Sequence, residues 1–463
     1  MGLGELFSFV AKDLIHPPLF YLILKVWMAI GGEGVFWLRL LPVAFSALAI
    51  FPFVSLAREL KLKTSVIQLA LFLMAVNGAL IKYTQTLRMY SMLMFLSLVS
   101  MWLFARYFNR GKSFVWLVIA NILLVYTHYF GWLIVGTEVA ILLWFQRIKW
   151  RRMLVMFGIT LAAFIPWLIA VVQSARAGSS LEQNIGWQTR PGLRELIVFV
   201  TDLVEPFYYQ ASNAEPTSIY TISTPLLLVC ITAIVFYASE WADEQRKEPI
   251  YLLLAFVAIP LTVAFAVSWL SPHSVWGTRH LIMVLPVVIL LIANSIMNTS
   301  IKALKVILLS LVVALAVVAL AIDSRRELPN HVWCAWNDVA GAIQGSDPRA
   351  KTIYTFENLV AYHMWFALRS DATTQVNVVK GLDVMTDDET YFLPRGFDGV
   401  KSMTLDQVSD PTIWLVFRTQ KDGDEVILID NFKKLGYLDC YSYRTQYGVT
   451  TVHWVQLTKT GCK

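Results

Sequence analysis

Charged residues are scarce in this chain: Asp, Glu, Lys and Arg make up only 15% of its 463 residues. Soluble domains carry about 25% charged residues and are about half apolar. Here 57% of the residues are hydrophobic and the mean hydropathy is +0.59. This composition excludes an ordinary soluble protein over most of the chain and is typical of a membrane protein.

Cysteine is also rare, with four residues in all. No CxxC pair or His-rich spacing occurs, so the sequence shows no metal ligand set and no evident cofactor motif, and it leaves dependence on a divalent metal open. Cys230 lies in an apolar segment, where it reads as a small core residue. In the C-terminal tail, Cys440 and Cys462 can form a disulfide if the tail lies in an oxidising compartment.

Long apolar segments recur from about residue 35 to residue 322, each about 20 residues long, the length of a helix that crosses a bilayer. After Asp323 the sequence resembles ordinary soluble protein. We therefore predict a polytopic α-helical membrane domain over residues 1–325, with about ten spans, and an extracytoplasmic soluble α/β domain over residues 326–463. The predicted spans lie near 35–57, 64–83, 87–107, 113–128, 132–145, 153–173, 216–239, 250–270, 280–298 and 303–322.

Lys and Arg alternate in density between the connectors of these spans, with 14 in one set of loops and six in the other. The positive-inside rule places the richer set of loops on the cytoplasmic side of a plasma or inner membrane, and it places the tail on the outer side. Because the basic residues are divided among short loops, nucleic-acid binding is a poor interpretation. Residues 17–30 are too short to span and suit a helix in the outer interface.

The tail alternates strand-like and helical segments. Short apolar runs rich in β-branched and aromatic residues predict strands at 352–356, 375–379 and 412–417. A helix is predicted over 426–435, ended by Gly436, and a terminal hairpin over 441–457 that turns near Gly448.

Polar side chains gather in the predicted outer loops. Arg88 and Arg279 lie against the positive-inside trend, and a guanidinium matches phosphate oxygens, so both are candidates to bind an anionic head group. The alternative is that each arginine reaches lipid phosphate at the interface. The remaining substrate-binding candidates lie beside them in these loops: His16, Tyr90, His128 and His280.

Carboxylates are few on the predicted outer side. Transfer of a sugar to a hydroxyl needs a positioned Asp or Glu to take the proton. Asp13, three residues before His16, is the best placed candidate base, although an ordinary solvated carboxylate is an equally good interpretation. Glu138 lies inside a predicted span, where a carboxylate usually faces a cavity or a polar partner.

Several segments together resemble a known family: HPPLFYLILKVW (16–27), LRLLPVAFSALAI (38–50), YTQTLRMYSMLMFLSL (83–98), YTHYFGWLIV (126–135) and RHLIMVLPVVILLIA (279–293). They resemble the bacterial branch of the dolichyl-phosphate-mannose protein mannosyltransferase-like glycosyltransferases, GT-C enzymes of family 39. That family includes the aminoarabinose transferases that act on lipid A. The resemblance extends over about residues 10–325.

The resemblance implies transfer of a sugar, with inversion, from a polyprenyl-phosphate carrier to a lipid, glycan or protein acceptor on the outer face of the membrane. It places His16 at the rim of the active site. Arg88 and Tyr90 match the family's Arg-Met-Tyr, and Arg279 matches the arginine of its Arg-Tyr-Leu string, with His280 in place of the tyrosine.

Two departures from the family pattern accompany this resemblance. The family's first helix and its acidic pair precede the HPP string by tens of residues, and here only 15 residues precede it. Thr86 stands where the family has glutamate. We therefore expect either that the start codon has been assigned too far downstream or that the chain is a divergent copy with reduced activity. A transporter or flippase for lipid-linked sugars, or a catalytically reduced homologue acting as a binding partner, is the alternative function.

Overall fold

The computed structural model describes residues 2–145, 150–177, 189–207, 220–239, 247–325, 335–346, 352–382, 397–419, 423–447 and 450–462. Within these ranges the chain forms two compact units. One is helical and ends at Arg325, and the other comprises the C-terminal tail.

The helical unit follows the apolar segments of the sequence, with short polar connectors between helices. In the described part of this unit the helices are α1 Leu3–Asp13, α2 Leu19–Gly31, α3 Val35–Glu59, α4 Thr64–Val76, α5 Gly78–Gln85, α6 Tyr90–Arg110, α7 Phe114–Thr127, α8 Gly131–Phe145, α9 Trp150–Arg176, α10 Leu193–Val204, α11 Tyr220–Ser239, α12 Lys247–Leu270, α13 Leu285–Asn298 and α14 Lys302–Ser324.

Five of these helices, α3, α6, α9, α12 and α14, are long and apolar enough to cross a membrane. Six further apolar helices are shorter, and the total of ten spans stays a prediction. Within the apolar stretch of α6, 78% of residues are buried in the protein, against 22% for α9 and for α14. A helix that is apolar all round and little covered by protein suits lipid contact. The chain is a membrane protein with α6 at the centre of its helical unit.

Helix α6 packs against α3, α7 and α8, and a buried polar network ties three of these helices together. Glu138 on α8 accepts hydrogen bonds from Ser100 Oγ on α6, at 2.6 Å, and from Asn121 Nδ2 on α7, at 2.7 Å. Ser100 and Asn121 also contact each other. Because buried polar groups are costly unless they are paired, these bonds fix the packing of α6, α7 and α8. Glu138 thus meets polar partners, as expected for a carboxylate at this depth.

The prediction of one helix over 64–83 was wrong, because Asn77 interrupts it. The Asn77 side chain accepts a hydrogen bond from Leu80 N and donates one to Leu203 O, both at 3.0 Å. Asparagine is a preferred residue at a helix start because it can satisfy a free backbone N–H in this way. The break begins α5 and joins it to the end of α10, where Gly78 N donates to Glu205 O.

The predicted start of the helix over 280–298 was also wrong. A short 3₁₀ turn covers Ile282–Val284, and α13 begins at Leu285 with a proline in its first turn. Proline suits that position because the first helical N–H groups have no partner within the helix. Two helices of this unit were not predicted: α1 precedes the predicted spans, and α10 lies between those predicted at 153–173 and 216–239. The helix expected over 17–30 is present as α2.

The C-terminal unit contains a six-stranded sheet in the order β3-β2-β1-β4-β6-β5. Strands β1 to β4 are parallel, whereas β6 runs antiparallel to β4 and β5 runs antiparallel to β6. The turn predicted near Gly448 lies outside the described residues. The elements are α15 Ala335–Gln344, β1 Thr352–Thr355, α16 Asn358–Ala367, β2 Gln375–Lys380, β3 Lys401–Thr404, β4 Thr412–Thr419, α17 Asp424–Lys433, β5 Leu438–Tyr447 and β6 Thr450–Thr458.

Cys440 and Cys462 form a disulfide across 22 positions of the sequence, so that pairing is confirmed. It ties the edge strand β5 to the end of the chain. A crosslink of this length stabilises a fold mainly by restricting the unfolded chain.

Replacing Cys440 with serine should therefore lower the free energy of unfolding of the C-terminal unit by about 3 kcal/mol. Urea-dependent pulse proteolysis of the full chain, followed with an antibody to the tail, measures this change. The unaltered chain in dithiothreitol serves as the control and should match Cys440→Ser. Equal stability of all three samples would contradict a stabilising disulfide.

Candidate functional site

The predicted site residues come from four segments that meet at the ends of helices. His16 follows α1, Arg88 and Tyr90 stand at the start of α6, and His128 lies between α7 and α8. Arg279 and His280 precede the 3₁₀ turn that leads into α13. The structure brings all of them into one cluster with Asp13, which we call the polar cluster.

A chain of hydrogen bonds joins Asp13, His16 and Arg88. His16 Nδ1 donates to Asp13 Oδ2, and Arg88 Nη2 lies 3.2 Å from His16 Nε2. His16 therefore accepts from the guanidinium while it donates to the carboxylate, which requires a neutral imidazole. Burial, partly offset by the bond to Asp13, lowers the pKa of His16, and the charge of Arg88 lowers it further.

Local backbone geometry holds Asp13 and His16 together. Leu14 ends α1 with a φ of 63°, a left-handed conformation that is uncommon for a residue other than glycine. Two prolines follow His16 and restrict its backbone. Asp13 keeps 36% of its side chain exposed, whereas His16 keeps 6%. The carboxylate is thus accessible while the imidazole is enclosed.

His128 lies at the centre of a group of rings. Its ring centroid is 6.1 Å from that of His16, 6.5 Å from that of Tyr90 and 5.6 Å from that of His280. Phe130 N donates to His128 Nδ1 at 3.1 Å, so the neutral ring carries its proton on Nε2. Burial holds the pKa of His128 well below its ordinary value, and the neighbouring His280 lowers it further.

The glycine after this turn is required by close packing. A Cβ at Gly131 would lie 2.8 Å from the backbone oxygen of Leu124, closer than real atoms approach. Only glycine lets α8 begin directly beside the end of α7. The turn holds His128 between these helices, so a larger residue at position 131 would displace the imidazole.

His280 is oriented by its own loop. Its Nδ1 lies 3.3 Å from Val275 O, to which it donates. Burial and the charge of Arg279 lower the pKa of His280 to about 3. The charges of Arg88 and Arg279 both act on His16 and on His128. The polar cluster thus combines two guanidinium groups with imidazoles that stay neutral near pH 7.

Three further residues lie close to Arg279. Thr278 Oγ1 donates to Asp202 Oδ2 at 2.9 Å, and Asp202 is 8% exposed. Burial raises the pKa of Asp202, and the Thr278 hydrogen bond and the charge of Lys82 oppose that shift. None of Thr278, Asp202 and Lys82 was predicted from the sequence as a site residue. The position of Lys82 could have been inferred from Asn77, because asparagine favours a helix start and the short helix α5, which carries Lys82, begins there.

In the part of the chain that the structure describes, no group of three or more His, Cys, Asp or Glu side chains is arranged to hold a metal ion. The three clustered histidines are instead engaged with Asp13, with Phe130 N and with Val275 O. Each imidazole uses one ring nitrogen for a protein hydrogen bond, which sets its tautomer.

Comparison with known proteins identifies the fold. No family model and no curated protein matches the sequence. Among solved structures, ArnT from Cupriavidus metallidurans in the apo state is similar with a TM-score of 0.61 and 12% identity, over 97% of this chain and 92% of that one. The same enzyme bound to undecaprenyl phosphate is similar with a TM-score of 0.59 and 12% identity, over 96% of this chain and 88% of that one.

An oligosaccharyltransferase from Archaeoglobus fulgidus, crystallised with zinc and sulfate, has a TM-score of 0.46 and 14% identity, over 80% of this chain and 57% of that one. The similarity to ArnT extends over nearly all of both chains. The chain therefore has the GT-C membrane fold.

The neutral state of His280 predicts a specific dependence of stability on pH. With a pKa of about 3 in the folded protein and 6.5 ordinarily, the unfolded chain binds more protons between these values, so stability falls as the pH falls from 6.5 toward 3. One such group contributes about 1.4 kcal/mol per pH unit in that window. In His280→Asn this contribution is absent, so thermal unfolding should shift less on acidification than in the unaltered chain. Parallel curves for the two proteins would contradict a neutral His280 in the folded protein.

Proposed function

We propose that this chain transfers a sugar from a polyprenyl-phosphate donor to an acceptor hydroxyl, with inversion, at the outer face of the membrane. The observation that carries this proposal is the polar cluster, in which Arg88 and Arg279 flank neutral histidines at the helix ends of a GT-C fold. The similar ArnT structure bound to undecaprenyl phosphate supports a polyprenyl-phosphate donor.

The reaction places its new charge on the phosphate. The acceptor oxygen forms a bond to the anomeric carbon of the sugar while the bond from that carbon to the phosphate oxygen breaks. The electron pair leaves with the polyprenyl phosphate, which passes from a singly charged diester to a doubly charged monoester. Arg88 and Arg279 would stabilise this additional charge, and such stabilisation lowers the barrier because it is stronger in the transition state than in the ground state.

The acceptor proton needs a base, and we assign it to Asp13. Its side chain is 36% exposed and accepts from His16. That bond holds the carboxylate in place and leaves it further lone pairs for the acceptor hydroxyl. His16 in turn accepts from Arg88, so the base and one phosphate-binding residue are positioned by the same imidazole.

Tyr90, His128 and His280 would line the space for the donor sugar and its phosphate. Their rings lie between 5.6 Å and 6.5 Å apart. Neutral imidazoles and a phenol can form hydrogen bonds with sugar hydroxyls, while the charged arginines bind the phosphate. The positive-inside distribution of Lys and Arg supports a cluster on the outer side of a plasma or inner membrane, with membrane lipids around the helices.

Removing the guanidinium groups tests the phosphate-binding role. Arg88→Ala and Arg279→Ala should each lower kcat for transfer of label from a polyprenyl-phosphate sugar by about 10² to 10³. Arg194→Ala is the matched control, because Arg194 is an exposed arginine of α10 and should retain full transfer. Full transfer by both cluster variants would contradict this role, and movement of the lipid-linked sugar across vesicles without any product would indicate a transporter.

Two carboxylates separate the possible bases. Asp13→Asn should lower kcat by about 10² or more while the KM for the donor stays the same, because proton removal contributes 10² to 10⁴ in rate. Asp202→Asn should lower it less than Asp13→Asn does, and Glu33→Gln, at an exposed position, is the control. Full activity of Asp13→Asn together with loss in Asp202→Asn would move the base to Asp202.

A further inference from the structure

The C-terminal unit has an open pocket at one end of its sheet. The pocket has a volume of about 480 Å³ and lies on strands β4, β6 and β5. Small-molecule sites usually have volumes of about 300–1,000 Å³. We call it the β5 pocket, and its lining includes Trp414, Tyr441, Tyr443, Gln456 and the disulfide Cys440–Cys462.

The pairing of the strands builds the wall of this pocket. Trp414 on β4 is paired with Gln456 on β6, and Gln456 is paired with Tyr441 on β5. Directly paired residues lie on the same face of a sheet. The three side chains thus form a continuous row of an indole, an amide and a phenol across three strands.

Gln456 is the polar centre of this row. It is 3% exposed and lines the pocket. In the described residues its side-chain amide makes no hydrogen bond to the protein, although a buried amide normally has partners. Trp414 is 1% exposed, and its indole Nε1 likewise meets no acceptor in that part of the chain. Groups of this kind are expected where a ligand or ordered water supplies the missing bonds.

The lining identifies the class of ligand. None of the described lining residues is charged, and the hydroxyls of Ser346, Thr412 and Thr458 add to the amide of Gln456. Tyr441 and Tyr443 are 45% and 48% exposed. Aromatic faces carry partial negative charge and attract the polarised C–H groups of a sugar ring. Neutral hydrogen-bonding groups beside exposed aromatic rings suit a neutral saccharide and not an ion.

The rim of the pocket is fixed covalently. Cys440 lies at a shift in the pairing of β5 with β6, between Asp439 and Tyr441. Such bulges redirect side chains near binding sites. The bond to Cys462 holds the end of the chain at this bulge, and both cysteines line the pocket. Tyr443 is held separately, because its ring stacks on Trp454 with the centroids 5.7 Å apart.

We propose that the β5 pocket binds a neutral saccharide through stacking on Tyr441 and Tyr443 and hydrogen bonds to Gln456. We infer that this saccharide is a segment of the acceptor, and that role rests on the proposed function. Its binding does not, because the pocket consists entirely of residues of the C-terminal unit.

Saturation-transfer NMR on the full chain tests binding directly. The protein is held in a detergent without a sugar head group, and the probes are methyl α-D-mannopyranoside and methyl β-D-glucopyranoside. The unaltered chain should give a saturable signal for at least one probe. Tyr441→Ala and Gln456→Leu should each lower that signal at least fivefold, while Tyr441→Phe, which keeps the ring, should retain it.

Val426→Ala is the control, since Val426 is 53% exposed on α17 and should leave the signal unchanged. Formation of the disulfide and the thermal unfolding profile confirm that each variant is folded. Absence of a signal from the unaltered chain would overturn the proposal, and so would signals from folded Tyr441→Ala and Gln456→Leu that equal the signal of the unaltered chain. Probe binding without any sugar transfer would contradict the proposed function alone, whereas transfer without probe binding would contradict this inference alone.

Discussion

A hydrocarbon interior excludes unpaired charge, and the arrangement of this molecule follows from that constraint. Within its most buried long helix, α6, Ser100 contacts Asn121 and Glu138 of the neighbouring helices, and these two are hydrogen-bonded to each other. Arg88, by contrast, stands just before the first residue of α6. The same packing that makes α6 rigid therefore fixes the position of a guanidinium group at its end.

The polar cluster depends on this rigidity because its positively charged groups repel one another. Arg88 and Arg279 carry like charges near the same imidazoles, and a protonated imidazole between them would be repelled. Burial keeps His16, His128 and His280 neutral, so each can accept as well as donate a hydrogen bond. The result is a positive site whose spacing is set by neutral rings, an arrangement suited to an anion whose charge grows during a reaction.

Helix positions were largely predictable from apolar periodicity and length, and the candidate residues of the polar cluster from their place at predicted helix ends. Asn77 shows where this reasoning stops. An asparagine inside an apolar segment can face a partner or begin a new helix, and only its bonds to Leu80 and Leu203 decide between the two. Asp202 and Thr278 are 76 positions apart in sequence, so their contact follows from tertiary packing that no local pattern contains.

The β5 pocket illustrates the same limit in the tail. Strand β4 was predicted from an apolar run and β6 as part of the terminal hairpin, but the pairing of Trp414 with Gln456 depends on the register between them. Alternation along a strand shows which residues share a face, whereas the neighbour across the sheet is set by turns and by the bulge near Cys440. The buried amide of Gln456, which makes no hydrogen bond within the described part of the chain, becomes informative only once that register is known.

Native mass spectrometry of the purified chain with a polyprenyl phosphate tests the central claim most directly, because it measures recognition of the phosphate without requiring turnover. The unaltered chain should retain the lipid, and the Arg88→Ala/Arg279→Ala double variant should lose it. The corresponding polyprenol, which lacks the phosphate, should be retained weakly by both. Equal retention of the polyprenyl phosphate by the unaltered chain and the double variant would contradict an anion site built on these two arginines.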